Sequence, residues 1–395
     1  MSSFTLGTAA NQRVSYTPSH LTRHVAIVGS TGSGKTVMSK ILVEEALQQG
    51  IPVIAIDPKG DIGSLGLLRD DFDFRPFVNK SVATRLAHEY RQHHDTIPKT
   101  LKKTTTTIYT PRSAIGEQVA VFPDLHVPDN IEDMADPTSS ALVELAHVTG
   151  QRKDKSQALL SSILEHLWKQ GTSLTLAQLI GYVRTPPIES VGTLALDDFM
   201  HDKDRDKLAS SLNILLTSSV KKAWQQGQPL DIAKMLKKHT LSVFDLRFCG
   251  GMSEKQFVTE QVCQRLYQYL LNKGGSASLK CMLYIDEVAG LLPPPPANPP
   301  SKQMLELLIR QARAFGLGVI LATQSPGDID YRLMGNMGTR FIGRLRTNTD
   351  IEKVSEGMSL ALASLREKVG ALTTGTFIYH NANNNQHKTI KTRWL

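Results

Sequence analysis

The sequence predicts an α/β protein: a mostly parallel sheet covered by helices on both faces, interrupted by a mainly helical insertion. Three observations carry that expectation. An apolar run at residues 24–28 (HVAIV) passes through a glycine-rich stretch, GSTGSGKT at 29–36, into a segment with apolar residues at helical spacing that Gly50 stops. Apolar runs of strand length recur at 51–57, 240–248, 281–285, 318–322 and 340–345, several of them ending in acidic or amide residues. Between 62 and about 239 the pattern changes to helical segments broken by Thr-, Pro- and Gly-rich turns.

In chain order, residues 1–22 are short and polar with one strand candidate at 13–16. The run IPVIAIDPKGD at 51–61 has five apolar residues ending in Asp57 and a proline, as a buried parallel strand does at its carboxyl end. Within the insertion, residues 156–169 place Ala158, Leu159, Ile163, Leu164 and Leu167 on one helical face, and 173–183 and 204–216 behave likewise. TIYTP at 107–111 reads as a strand. Helical segments separate the runs at 240–248, 281–285 and 318–322, which is the alternation that gives a parallel sheet. Prolines 293–296, with Pro299 and Pro300, cannot be helical and read as a stiff connection. The expected organisation is a core from 1–75 and 240–395 with an insertion at 76–239.

The chain has 395 residues, more than one simple domain usually needs. With 41% hydrophobic and 21% charged residues it is ordinary for a globular protein, and no apolar run approaches the roughly 20 residues needed to span a bilayer. The N-terminal stretch lacks a signal-peptide core, so a cytoplasmic protein without membrane contact is expected. Cys249, Cys263 and Cys281 show no metal or redox spacing, and Cys249 and Cys281 read as packing residues. The net charge of +8 permits a nucleic-acid partner without specifying one, and the basic clusters Lys102–Lys103, Arg152–Lys153 with Lys155, Lys221–Lys222 and Lys237–Lys238 are more simply solvated faces.

GSTGSGKT is G-x-x-x-x-G-K-T, the pattern of a phosphate-binding loop. Gly29, Ser30, Thr31, Gly32, Ser33, Gly34, Lys35, Thr36 and Val37 are the candidate ATP-binding residues, with Asp57 at a second strand end. Glycines let backbone N–H groups turn toward phosphate oxygens, and the helix N-terminus adds its positive end. Lys35 can reach the β- and γ-phosphates and Thr36 can ligate Mg²⁺. CMLYIDE at 281–287 delivers Asp286, placed to hold Mg²⁺ through water, and Glu287, placed to polarise the attacking water; the plainer alternative is two acids capping a turn. GVILATQ at 318–324 ends in Gln324, which can bond the γ-phosphate and the lytic water, or serve only the turn at Ser325-Pro326-Gly327.

Three arginines compete for a further role. Leu305, Leu308, Ile309 and Ala312 form one helical face, and Arg310 and Arg313 lie off it, Arg310 within i, i+4 reach of Glu306. Arg340 opens the run RFIGRL after MGNMG. A strand start lies at the sheet edge opposite the nucleotide, so Arg340 is the favoured finger on a neighbouring subunit's γ-phosphate, with Arg310 and Arg313 behind it.

HVAIVGSTGSGKT, IDPKGD, YIDE, and RQARAFGLGVILATQSP followed by TRFIGRL resemble the HerA–FtsK superfamily of ring-forming ATPases, and HerA-type helicases most. TIYTPRSAIGE and TIKTRWL are also HerA-like. The resemblance covers residues 4 to about 345 in outline. It implies a RecA-like P-loop NTPase core, a homo-oligomer that is usually a hexameric ring, translocation on double-stranded DNA, and often a partner nuclease. The β-barrel that HerA proteins usually carry before the core is not expected here, since about twenty residues precede the first core strand. The expected function is therefore Mg²⁺-dependent ATP hydrolysis driving DNA translocation in a ring. A regulatory ring that activates an effector without processive movement is the alternative, and an export motor at a membrane the third.

Overall fold

The computed structural model describes residues 3–67, 103–128, 131–146, 151–217, 224, 226–356, 358, 361–382 and 386–393. The chain forms two compact units, one from Met1–Gln118 with Leu230–Leu395 and one from Val119–Pro229.

The first unit is built on an eleven-stranded sheet. Its strands are β1 (Phe4–Ala9), β2 (Gln12–Tyr16), β3 (Val25–Val28), β4 (Val53–Asp57), β5 (Thr105–Tyr109), β10 (Thr240–Asp245), β11 (Cys281–Ile285), β12 (Leu317–Thr323), β13 (Thr339–Ile342), β14 (Thr376–Asn381) and β15 (Gln386–Thr392); the second unit holds the short pairs β6 (Val119–Ala120) with β9 (Gln228–Pro229) and β7 (Ser190–Val191) with β8 (Leu194–Ala195). The order is β2-β1-β15-β14-β13-β3-β12-β11-β4-β10-β5. The seven strands from β13 to β5 run parallel, and β14, β15, β1 and β2 extend the sheet antiparallel. This is the α/β, mostly parallel, RecA-like core.

The sequences of β3, β4, β11 and β12 are apolar up to the polar residues Asp57 and Thr323 that end β4 and β12, because both of their faces are covered. Val25, Ile27, Val53 and Ala55 pack with Met38, Ile41 and Leu42 of α1 (Lys35–Gln48), while Ile54, Ile56, Leu283 and Ile285, of opposite parity, are equally buried on the other face. Each such side chain stabilises the fold by roughly 1.5–3 kcal/mol. Register then aligns the strand ends: Val28 lies opposite Thr323, Leu321 opposite Ile285, and Ile285 opposite Ile56. Four carboxyl ends therefore share one edge, and every residue that follows them can reach a common site.

Two elements differ from expectation. β5 lies inside the span 76–239 expected as an insertion, yet it pairs in parallel with β10 from Thr105↔Thr240 to Tyr109↔Phe244 and so belongs to the core. The hairpin β14–β15 is not foreseen at all. It is anchored by Phe341 stacked on Tyr379, with ring centroids 5.2 Å apart, and by Tyr16, whose hydroxyl lies 3.1 Å from Thr339 Oγ1. After β15, Arg393 reaches Glu44 and Glu45 of α1 at 3.1 and 3.2 Å.

The second unit carries helices Ile131–Leu145, Gln151–Lys169, Leu176–Arg184 and Asp202–Thr217. Thr175 starts the third with a capping box closed by Gln178. Trp168 is buried and donates its indole N–H to the Leu125 carbonyl. Among the basic clusters, Arg152 pairs with Asp204 and Lys155 donates to the Phe199 carbonyl, while Lys102, Lys221 and Lys222 lie outside the described residues. Among the described residues, no helix is long and apolar enough to cross a membrane.

Candidate active site

The phosphate loop joins β3 to α1 across the shared edge. Gly34 has φ +97°, a left-handed conformation, and a Cβ on it would stand 2.9 Å from the Gly375 nitrogen, so glycine is required there. The loop is held from outside: Ser30 N–H donates to the Arg344 carbonyl at 2.7 Å, Gly375 N–H to the Ser33 carbonyl at 2.9 Å, and Thr374 Oγ1 to the Gly32 carbonyl at 2.9 Å. Space beside Gly32 is open, and the buried hydroxyls of Ser30 and Ser33 have no hydrogen-bond partner among the described residues. A glycine-rich loop whose Gly32 and Ser33 carbonyls are held by Thr374 and Gly375, at the start of a helix, fits an anionic phosphate group. Val37 lies in the first turn of α1 and packs against the core.

β11 delivers Asp286 and Glu287 to the same edge. Asp286 Oδ1 accepts from the Tyr284 hydroxyl at 2.8 Å, and burial raises its carboxyl above the ordinary range. Glu287 has φ +53°, an unusual conformation for a side-chain-bearing residue and one that collects at functional sites. Its Oε1 accepts from Thr323 Oγ1 at 3.1 Å and Gln324 N–H at 3.2 Å, and its Oε2 accepts from Lys59 Nζ at 2.6 Å. Burial would raise Glu287, but the Lys59 hydrogen bond, the Gln324 N–H, the Lys59 charge and Thr323 outweigh it and hold its carboxyl below the usual range. Gln324 Oε1 in turn accepts from Thr31 Oγ1 at 2.6 Å, linking the strand-end amide to the phosphate loop. Lys35 lies within the field of Glu287, Lys59 and Asp286, and its pKa is lowered chiefly by burial.

Asp57 requires a correction. It is fully buried, and its carboxylate accepts from Lys59 N–H at 3.1 Å, Gly60 N–H at 2.6 Å and Ile62 N–H at 2.9 Å. It caps its own loop instead of facing a nucleotide. The residue that the loop presents to the site is Lys59, which sequence reasoning missed although DPKGD stands at a strand's carboxyl end.

Arg340 is also corrected. It is 2% exposed, and its guanidinium donates to the carbonyls of Met334 and Val354 at 2.8 Å each and to that of Glu356. A group so committed inside its own chain is not presented to a neighbour. Arg310 and Arg313 are exposed, Arg310 lying 3.6 Å from Glu306. Both precede β12, whose seven residues separate them from Gln324 by roughly 20 Å, so neither reaches this chain's own loop. Arg344, which sequence reasoning passed over, follows β13 on the nucleotide edge with an exposed side chain.

Among the described residues no three His, Cys, Asp or Glu side chains converge to hold a metal ion. The oxygen donors at the site, the Thr36 hydroxyl and the Asp286 carboxylate, suit Mg²⁺, which binds through few protein oxygens together with substrate phosphates.

The sequence matches the family profile "Helicase HerA, central domain" over residues 5–273. The chain belongs to the HerA family. It is thus an ATP-driven motor of the HerA–FtsK type. Solved structures share this fold. VirB4 of Thermoanaerobacter pseudethanolicus superposes with a TM-score of 0.64 at 15% identity, covering 100% of this chain and 97% of that one. The bacterial conjugative coupling protein TrwB, in an unbound form lacking its first 70 residues, gives 0.60 at 15% identity over 99% and 90%. TrwB in complex with ADP and Mg²⁺ gives 0.56 at 14% over 99% and 90%. At these identities the likeness is one of fold. No curated protein matches the sequence.

Proposed function

We propose that this HerA-family chain is a cytoplasmic, Mg²⁺-dependent ATPase that assembles into a homo-oligomeric ring, hexameric by family resemblance, and translocates on double-stranded DNA, working with a nuclease or other effector. The carrying observation is the convergence of Lys35, Asp286, Glu287 and Gln324 at one sheet edge, with Glu287 in a left-handed backbone conformation. TrwB, a protein of similar fold, is known in complex with ADP and Mg²⁺ and with a non-hydrolysable ATP analogue, which supports ATP as the nucleotide.

In this reading the loop N–H groups and Lys35 bind the β- and γ-phosphates. Mg²⁺, when bound through Thr36 and Asp286, supplies charge neutralisation at the phosphates. Glu287 accepts a hydrogen bond from the attacking water and orients it. Gln324, bonded to Thr31 and through its N–H to Glu287, links that water to the loop. In a ring, exposed Arg310 and Arg313, on the opposite edge, replace Arg340 as the arginines offered to a neighbour's site.

The test is ATP turnover with and without duplex DNA across a low-salt titration, alongside mass photometry. Stimulation that falls steeply with salt, together with ring-sized particles, supports the motor, since phosphate contacts release counterions. Turnover indifferent to DNA, in rings that still form, would instead identify the regulatory ring.

A further inference from the structure

The contact between Lys59 and Glu287 joins residues 228 apart in sequence, and both ends of it are built. On one side, Asp57 spends its carboxylate on three N–H groups of the loop that carries Lys59. That loop turns at Gly60, with φ +82°, where a Cβ would lie 2.2 Å from Arg247 Nε. Arg247 is itself fixed by Asp245 at 2.5 Å, on the neighbouring strand end. On the other side, Glu287 holds its left-handed conformation with Oε1 fixed by Thr323 and Gln324. An ordinary exposed ion pair shows none of this two-sided support.

We propose that Lys59 is a positioning residue for Glu287: it fixes the carboxylate so that one defined acceptor position is left for the attacking water. The counting is simple. A carboxylate offers about four acceptor positions. Thr323 Oγ1, Gln324 N–H and Lys59 Nζ fill three of them. The remaining one is aimed by the other three. Without Lys59, Oε2 has two open positions and the side chain loses its second anchor, so the water is no longer held in one line of attack. The Lys59 side chain is 36% exposed and that of Glu287 19%, so the pair sits at the mouth of the site, where a water can enter. This inference rests on the ATPase reading above.

The experiment uses the full chain and ATP. Turnover is measured by phosphate release and binding by a fluorescent ATP analogue, for the wild type, Lys59→Met, Lys59→Arg, Glu287→Gln and the double variant Lys59→Met/Glu287→Gln. Lys59→Met is expected to lower kcat about 10- to 100-fold, the scale of a misplaced reacting group, while ATP affinity stays within about threefold. Lys59→Arg, which keeps a charged donor, recovers most of the loss. In the Glu287→Gln background Lys59→Met changes kcat by less than about threefold, because there is no longer a carboxylate to aim. Unchanged kcat in Lys59→Met overturns the proposal. So does a loss of ATP affinity as large as the loss of turnover, which would make Lys59 a phosphate ligand, or full additivity in the double variant. Should Lys59→Met fail to fold, Lys59→Gln carries the same expectations. A wild-type chain that binds ATP but never turns it over sinks both the ATPase reading and this inference.

Discussion

His24, the residue just before β3, makes the protein lose stability in mild acid. It is 2% exposed, with Nε2 2.9 Å from the Ile309 carbonyl and Nδ1 3.1 Å from the Val319 nitrogen. A carbonyl only accepts and an amide N–H only donates, so the ring is neutral with its proton on Nε2. A second proton would have to enter Nδ1, where Val319 already donates. Burial, assisted by the charge of Arg313 and opposed by the Ile309 bond, lowers the pKa from the ordinary 6.5 to about 4. The sign follows directly. The unfolded chain takes up a proton as the pH drops through 6.5, whereas the folded chain resists until about 4, so stability is full above 6.5 and is lost progressively between the two. At 1.36 kcal/mol per pKa unit, the loss by pH 4.5 is about 2.5 kcal/mol from this residue alone. Denaturant unfolding at pH 7.5 and 4.5 should show a wild-type loss exceeding that of His24→Gln by that amount, and proton NMR should find one imidazole, absent in His24→Gln, titrating well below 5. Equal acid losses in the two proteins, or a His24 signal titrating near 6.5, would refute the assigned tautomer and its burial.

Other outcomes follow from the site. Lys35→Ala should weaken both ATP binding and hydrolysis, whereas Glu287→Gln should keep binding and lower turnover by about 10² or more, read by the same binding and phosphate-release assays. Arg340→Ala leaves the buried Val354 carbonyl without its arginine donor, takes a second donor from the Met334 carbonyl and opens a cavity, and should cost about 1–3 kcal/mol in denaturant unfolding; a stable, well-folded variant that assembles but fails to hydrolyse ATP would restore Arg340 as a finger. Gly60→Ala should cost roughly 1–2 kcal/mol for its left-handed φ and should reduce turnover more than ATP binding, since it displaces the Lys59 loop.

That the phosphate loop, Asp286, Glu287 and Gln324 share one sheet edge was legible because each follows directly on an apolar run that must be a buried strand. Lys59 was not, because its partner lies on another strand and only register brings the two together. Asp57 was misread for a related reason: an acid at a strand's carboxyl end looks the same whether it faces a ligand or caps its own loop. Arg340 was misread because an exposed strand start and one covered by the segment ending at Glu356 have the same local sequence. β15 was missed because QHKTIKT is polar but for Ile390, too weak a signal to separate a sheet-extending strand from a tail, whereas β14 was passed over although TFIYHN carries the buried run Phe377, Ile378 and Tyr379. In the second unit the helices at 151–169, 176–184 and 202–217 were legible from their spacing, whereas Ile131–Leu145 and the capping box of Thr175 with Gln178 were not singled out.

The strand that carries the phosphate loop has no local partner. β3 lies between β12 and β13, and the His24–Val319 contact at its start spans 295 residues. At about 5–20 residues per second of synthesis, that span takes on the order of 15 to 60 s to appear. Through that interval VAIV leaves the ribosome without either of its strand partners, although α1 can already pack on β1 and β4, and closing so long a loop is slow even once the chain is complete. The nucleotide site is therefore among the last parts of the molecule to take shape. The edges of β3 thus stay unpaired for longer than those of a strand whose partner follows it directly.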